Sequence, residues 1–241
     1  MGIHLRVGFR LTVVLMLTAS TLGAGTGPGS RVAERHLAFV RAISSQSLRL
    51  STDLLQLANK VEDSGCKLRD YDAAKLTPDQ ARLGRLYASE FCQPWEKFWD
   101  KALAPCEKDD PPDWCDDEVE SVRRIDLQGY FATLTSGLEV ASSPLERDNI
   151  MDIVTSTLHT HVITEFPRDS VDSWVAGAVA PYLKEASPDQ ALTLATELKD
   201  TWVGLGPATM TAFEAYLLGA TSLDSEQREA MRHALAKEAK P

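Results

Sequence analysis

The sequence lacks most of the short motifs that mark catalytic sites. It has no G-x-S-x-G turn, no H-E-x-x-H pair and no glycine-rich phosphate loop, which excludes the common serine-hydrolase, zinc-protease and nucleotide-binding signatures. Basic residues are also scarce: 25 Lys and Arg face 35 Asp and Glu, the net charge is −10, and no dense basic block occurs. Binding to a nucleic-acid backbone requires clustered cations. We therefore expect a non-catalytic protein without a cofactor and without a nucleic-acid partner.

Signals for β-structure are missing as well. The chain has no Asn-Gly or Asp-Gly turn and no sustained alternation of apolar and polar residues, so β-hairpins are not expected. Helix-start signals recur instead. A hydroxyl residue, a proline, and then Glu or Gln in the fourth position occur in Thr77–Gln80, Ser143–Glu146 and Ser187–Gln190, which is the pattern of a helix capping box.

Apolar residues at three-and-four spacing follow these starts and predict an all-α fold. We expect a single helical-bundle-like domain of about eight helices, stapled by disulfides in its first half. A division into two lobes, 31–141 and 142–241, is the alternative. The expected helices span roughly 31–63, 77–92, 94–104, 112–140, 143–165, 169–185, 188–203 and 207–237, the last with a break near 219–223.

The first two dozen residues have the pattern of a secretory signal peptide. Two arginines and no acid precede a largely apolar run over 11–22, and small residues follow it. Glycines end the run short of the roughly 20 apolar residues that a membrane-spanning helix needs. We predict a signal peptide over 1–24 and a helical domain over 25–241, with cleavage after Ala24 favoured and cleavage after Gly23 as the alternative. That domain is expected to be periplasmic or secreted, and not an integral membrane protein after cleavage.

The cysteines agree with export. Cys66, Cys92, Cys106 and Cys115 are even in number and fall within one stretch of 50 residues, which predicts two disulfides in an oxidising compartment. Four cysteines can be joined into two disulfides in three ways. We favour Cys106 with Cys115, because the Pro111-Pro112 turn between them can bring two helix ends together, and this leaves Cys66 with Cys92. A zinc site is the alternative, although the chain has no C-x2-C pair.

His161 and Glu165 are the candidate metal ligands. They are four residues apart on a predicted helix and therefore share one face. Two ligands do not complete a site, so a metal would need further ligands from another helix. The simpler interpretation is a partly buried His161 that is hydrogen-bonded by Glu165.

An aromatic stripe and an acidic segment are the candidate partner-binding surfaces. The stripe follows one face of the predicted helices over 87–99, where a core role is the simpler interpretation. The acidic segment over 107–120 has eight carboxylates and one lysine, and suits a basic partner or, as an alternative, calcium. The residues selected are three tryptophans and four aspartates, namely Trp95, Trp99, Trp114, Asp109, Asp110, Asp116 and Asp117.

One resemblance to a known family is present. Leu76-Thr77-Pro78-Asp79-Gln80 resembles the LTxxQ signature of the periplasmic, all-helical stress-response chaperones, and Leu223-Asp224-Ser225-Glu226-Gln227 looks like a degraded copy. Membership would imply a helical chaperone for unfolded exported proteins. No site residue is carried over from the family.

These observations lead to one hypothesis and two alternatives. We expect an exported, non-enzymatic helical protein that binds another protein, which is a basic one if the acidic segment is the contact. An inhibitor, an immunity-type protein or an accessory factor would act in this way. The alternatives are a periplasmic chaperone and a metal-dependent helical enzyme.

The signal peptide gives a direct prediction. When the full chain is expressed with an intact export pathway, the mature protein is expected to begin at Gly25. Intact-mass and N-terminal peptide mass spectrometry of the exported material test this. A purified exported protein that retains Met1 would contradict the prediction.

Overall fold

The computed structural model describes residues 27–107, 125–160, 163–164, 166–220 and 223–236. Over these ranges the chain is all-α and has no β-strand, so the predicted fold class is confirmed. Helices are more numerous than the eight expected. None of the helices in these ranges has the length and apolar character needed to traverse a bilayer. The predicted signal peptide lies outside the described residues.

The helices are short and follow one another closely. The first four are α1 (Pro28–Ser44), α2 (Leu50–Asp53), α3 (Leu55–Glu62) and α4 (Asp70–Ala73). Next, α5 (Pro78–Tyr87) continues through a π-helical turn (Ala88–Cys92) into α6 (Gln93–Leu103), which ends in a 3-10 turn (Ala104–Glu107). The second half contains α7 (Leu127–Val140), α8 (Pro144–Leu158), α9 (Arg168–Leu183), α10 (Pro188–Lys199), α11 (Pro207–Gly219) and α12 (Ser225–Leu235).

Two of the expected helices are interrupted. The helix expected over 31–63 breaks after Ser44, because Ser47 takes a left-handed backbone conformation with φ 58°, which cannot continue a right-handed helix. The helix expected over 112–140 does not run through 125–126, where Asp126 instead accepts a hydrogen bond from the Gly129 N–H and begins α7.

The expected capping boxes are largely confirmed. At the start of α5, the Gln80 N–H donates to Thr77 Oγ1 at 3.3 Å and the Thr77 N–H donates to Gln80 Oε1 at 3.1 Å. Ser187 begins α10 in the same way. The box at Ser143 is only half formed, because the carboxylate of Glu146 accepts from Ser142 and forms an ion pair with Arg41 instead.

The core forms where α1 packs lengthwise on α7 and where α9 packs on α7 and α11. Phe39, Ile43, Phe131, Leu134 and Phe213 are among the core side chains that are fully or almost fully buried. The close approach of α1 and α7 depends on Gly29, because a Cβ at this position would overlap the backbone oxygen of Asp126. Large apolar side chains on both helices then exclude water from the seam.

Charged side chains from one helix cap the ends of others. Asp172 of α9 is buried and accepts from the N–H groups of Ala208 at 2.7 Å and Thr209 at 3.1 Å, at the start of α11. At the other end of α11, the guanidinium of Arg228 donates to the carbonyls of Leu217 at 2.7 Å and Ala220 at 2.5 Å. These groups satisfy backbone atoms that a helix leaves unpaired at its ends.

Removing the Asp172 carboxylate is expected to destabilise the fold. Asp172→Ala leaves the first N–H groups of α11 buried without an acceptor, which costs roughly 1–3 kcal/mol. Urea unfolding followed by circular dichroism measures the loss. The control Asp200→Ala removes an exposed carboxylate and is expected to change stability by less than about 0.5 kcal/mol. Equal stability of the two variants would contradict the capping role.

Candidate functional site

A cavity of about 330 Å³ opens between α3 and α8 and extends down to α1 and α7. This volume is at the lower end of the range for ligand-binding pockets. Its floor consists of buried and half-buried rings, and its rim of exposed polar side chains. The rings are His36, Tyr87, Phe91, Trp95 and Tyr130, and the exposed polar residues of the rim are Ser51, Asn59, Glu62 and Ser156.

His36 is the most buried polar group of the floor. Its Nε2 lies 3.1 Å from the carbonyl oxygen of Phe91, which can only accept, so Nε2 carries the hydrogen and donates. Nδ1 therefore accepts from the hydroxyl of Tyr130 at 2.8 Å. Burial lowers the pKa of His36 from 6.5 to about 3. The imidazole is thus neutral at physiological pH, and both of its nitrogens are engaged.

The rings of the floor form one continuous surface. His36 stacks on Phe91 with centroids 3.9 Å apart, and Phe91 stacks on Tyr87 at 5.0 Å. Trp95 lies 5.0 Å from Tyr130. Three of these rings come from positions 87, 91 and 95 of the continuous α5–α6 segment, so their four-residue spacing places them along one side of it.

The rim is acidic. Asp152 of α8 is paired with Arg49 at 3.2 Å and accepts from the Ser51 N–H at 3.2 Å, so its charge is largely compensated. Glu62 is exposed and accepts a hydrogen bond from the hydroxyl of Tyr87. Burial, reinforced by this carboxylate, raises the pKa of Tyr87, so the phenol stays protonated. Among the described residues that line the cavity there is no Lys or Arg.

The residues predicted for partner binding are only partly covered by the structure. Trp95 lines the cavity. The ring of Trp99 packs edge-on against the ring of Trp95, with the two ring centroids 5.4 Å apart. Both are half-buried and pack against the hydrophobic core. Trp114 and the aspartates 109, 110, 116 and 117 lie outside the described residues, so their role stays a prediction.

The predicted disulfide Cys66–Cys92 is confirmed, with a Cα–Cα distance of 5.3 Å. It joins the loop after α3 to the π-helical turn that carries Phe91, and Gln93 Nε2 donates to the Cys66 carbonyl at 3.1 Å beside it. Cys106 is also disulfide-bonded. Cys115 lies outside the described part of the chain, so the pairing of these two cysteines stays a prediction.

The predicted metal ligands His161 and Glu165 also lie outside the described residues. In the part of the chain that is described, one grouping of three potential ligands occurs: Cys66, Cys92 and Glu96. Both of its sulfurs are consumed by the disulfide, so neither is available as the thiolate that zinc requires.

Several cavity residues were missed by the sequence reasoning. His36 sits within an apolar helical stripe with Val32, Val40 and Ile43, and a histidine in such a stripe is the one signal that points to a buried polar contact. Tyr130 gives no comparable signal, since it reads as an ordinary core residue. The acidic rim residue Glu62 is equally inconspicuous in an acidic chain.

Comparison of the chain with protein-family models, curated proteins and solved structures finds no match. The two motifs that resemble the LTxxQ signature have a local structural role. Thr77–Gln80 and Asp224–Gln227 each form a complete capping box at a helix start. The geometry of the cavity is therefore the basis for a functional proposal.

The buried histidine predicts a specific loss of stability in acid. As the pH falls below 6.5, His36 becomes protonated in the unfolded chain, whereas in the folded chain it stays neutral until about pH 3. The contribution of His36 to the free energy of unfolding is therefore fully present above pH 6.5. It decreases as the pH falls, by up to about 1.4 kcal/mol per pH unit. Urea unfolding between pH 7.5 and 5.0, before most carboxylates titrate, measures the slope.

Two variants identify the source of this slope. Glutamine can replace both hydrogen bonds of the imidazole without titrating, so His36→Gln is expected to flatten the slope. His159→Gln, at an exposed position on the surface, is the control and is expected to keep it. A His36→Gln variant as acid-sensitive as the unmodified protein would contradict the assignment.

Proposed function

We propose that the protein is an exported binding protein that accepts a side chain of another protein into the aromatic cavity, and that it catalyses no reaction. The observation that carries the proposal is the aromatic floor beneath an acidic rim. Protein–protein interfaces derive most of their energy from a few aromatic or arginine side chains inserted into well-packed pockets. The cavity provides such a pocket.

The charges of the lining favour a basic inserted group. Of the two carboxylates in the described lining, Asp152 is paired with Arg49, whereas Glu62 is exposed at the rim and accepts a hydrogen bond from Tyr87. The rings of Trp95 and Phe91 are half-buried within the cavity. An arginine can stack its planar guanidinium on such rings and donate hydrogen bonds to a carboxylate at the same time. We therefore favour an arginine or lysine of a basic partner.

The state of His36 supports binding rather than acid–base catalysis. A general acid or base works best with a pKa near the working pH, whereas burial holds the pKa of His36 at about 3. Both nitrogens are committed to Phe91 and Tyr130. The imidazole therefore acts as a packing group that fixes the floor of the cavity.

The proposed periplasmic or secreted location is supported by the cross-links. Cys66–Cys92 is formed and Cys106 is disulfide-bonded, and disulfides persist in oxidising compartments. The signal-peptide pattern over 1–24 agrees with this. A partner is therefore expected among exported proteins.

One observation favours the chaperone alternative. On α11, Leu218 is 88% exposed and lies beside Met210 and Leu217 on a groove shared with α12. Exposed apolar surface of this kind can hold unfolded chains. A chaperone would suppress aggregation of unrelated clients, whereas the proposed function requires one specific complex.

Blocking the cavity tests the proposal. Ser156 is exposed at the rim, so Ser156→Trp is expected to fill the opening without disturbing the core. Ser136→Trp introduces the same side chain at an exposed position of α7 away from the cavity. Affinity capture from a periplasmic extract, with bound proteins identified by mass spectrometry, is run with the unmodified protein and both variants.

The expected result is one partner that is retained by the unmodified protein and by Ser136→Trp, and is lost or at least about tenfold depleted with Ser156→Trp. If Ser156→Trp retained the partner as well as the unmodified protein does, the binding site would have to lie outside the cavity. Suppression of client aggregation that survives Ser156→Trp, without a specific partner, would favour the chaperone alternative instead.

A further inference from the structure

A second concave site lies where α1 and α6 pack together. The two helices run antiparallel, since Phe39 packs on Tyr87 whereas His36, earlier in α1, packs on Phe91 and Trp95, later in the partner segment. Beside this contact is a groove of about 350 Å³. The groove is separate from the aromatic cavity, and none of the described residues lines both.

Both helices contribute the same sequence pattern to the groove. Pro28–Arg35 reads PGSRVAER and Pro94–Lys101 reads PWEKFWDK. Each places proline first, a cation fourth, an apolar residue fifth and a second cation eighth. On a helix these positions share one face, and the two cations are separated by a rise of about 6 Å. The acids Glu34 and Asp100, in the seventh position, are not among the residues that line the groove.

The groove therefore has a local excess of cationic side chains, although the protein as a whole is acidic. Among the described residues that line it, the cations Arg31, Arg35, Lys97 and Lys101 outnumber the one acid, Asp126.

The available part of this charge comes mainly from the lysines. Asp126 accepts from the N–H groups of Gly29 at 3.2 Å and Gly129 at 3.0 Å, so its oxygens are already used in capping. Arg35 is held in place by Glu90 at 3.2 Å. Lys97 and Lys101 are exposed, and neither forms an ion pair or a side-chain hydrogen bond within the described ranges.

The base of the groove is apolar. Val32, Phe98 and Ile125 are buried beneath the cations, and Pro28 and Pro94 border them. A groove with cations at its edge and apolar side chains at its base suits a ligand in which an anionic group, the head, is attached to an apolar moiety, the body. The ammonium groups can form charge-assisted hydrogen bonds with the head, while burial of the body adds an apolar contribution.

We propose that the groove between α1 and α6 binds a small organic anion, in which a carboxylate or phosphate is attached to an apolar body. This site is independent of the proposed function of the aromatic cavity. A free small molecule fits better than an anionic membrane surface, because the net charge of −10 opposes approach to a negative bilayer.

Isothermal titration calorimetry of the full, oxidised protein tests the site with three probes at low and at high salt. The probes are phenyl phosphate, inorganic phosphate and benzylamine. Phenyl phosphate is expected to bind with 1:1 stoichiometry, at least about tenfold more tightly than inorganic phosphate, and more weakly at high salt. Benzylamine, which has the opposite charge on the same ring, is expected not to bind here.

Charge-reversal variants locate the binding. The double variant Lys97→Glu and Lys101→Glu is expected to weaken phenyl phosphate binding at least about tenfold. The control Lys67→Glu and Lys184→Glu changes the net charge by the same amount at exposed lysines outside the groove, and is expected to keep the affinity within about twofold.

Four results would overturn the proposal. They are no binding of phenyl phosphate, equal binding of phenyl and inorganic phosphate, equal loss in both double variants, and binding to phosphatidylglycerol vesicles without binding of phenyl phosphate. The last result would assign the groove to a membrane surface instead.

Discussion

The structure depends on side chains that complete the hydrogen bonding of helix ends. A chain divided into many short helices has many backbone N–H and C=O groups without a partner inside their own helix, and leaving such groups buried and unpaired is costly. Here Asp126 serves α1 and α7 together, Asp172 serves α11, and Arg228 closes the other end of α11. In the described part of the chain, no buried side-chain nitrogen or oxygen lacks a hydrogen-bond partner.

The same contacts fix the positions of the helices that build both concave sites. When Asp126 binds the first turn of α1, it sets α1 against α7, and this brings His36 to Tyr130. The α5–α6 segment then packs on α1 through its rings. Helices α1 and α6 of this packed unit contribute to both the aromatic cavity and the basic groove, through different residues.

Local features of the fold could be predicted from the sequence, whereas contacts between residues far apart in the chain could not. The starts of α5 and α10 are readable because donor and acceptor are three residues apart within Thr77–Gln80 and Ser187–Gln190. The contact of His36 with Tyr130 spans 94 residues and depends on how two helices dock, which apolar periodicity does not specify. The break at Ser47 was missed because helical spacing on both sides hides a single left-handed residue.

Of the candidate sites, the aromatic stripe was predicted as a feature, and the choice between a core and a partner-binding role was left open. Spacing alone shows that Tyr87, Phe91 and Trp95 share a face, whereas it does not show that part of this face borders an open space. The basic groove was missed because each helix supplies only two cations, and neither pair is a basic block on its own. Its charge density arises only when α1 and α6 come together.

The cross-link between Cys66 and Cys92 makes the rigidity of the cavity depend on the redox state of the surroundings. It closes a loop with a sequence separation of 26 residues, a restraint worth about 3.5 kcal/mol through the entropy of the unfolded chain. It also fastens the segment after α3 to the turn that carries Phe91, and both α3 and Phe91 contribute to the cavity lining. In a reducing compartment, where glutathione keeps thiols reduced, the chain lacks this restraint. For the exported binding protein proposed above, the pocket would therefore gain its full rigidity only after translocation.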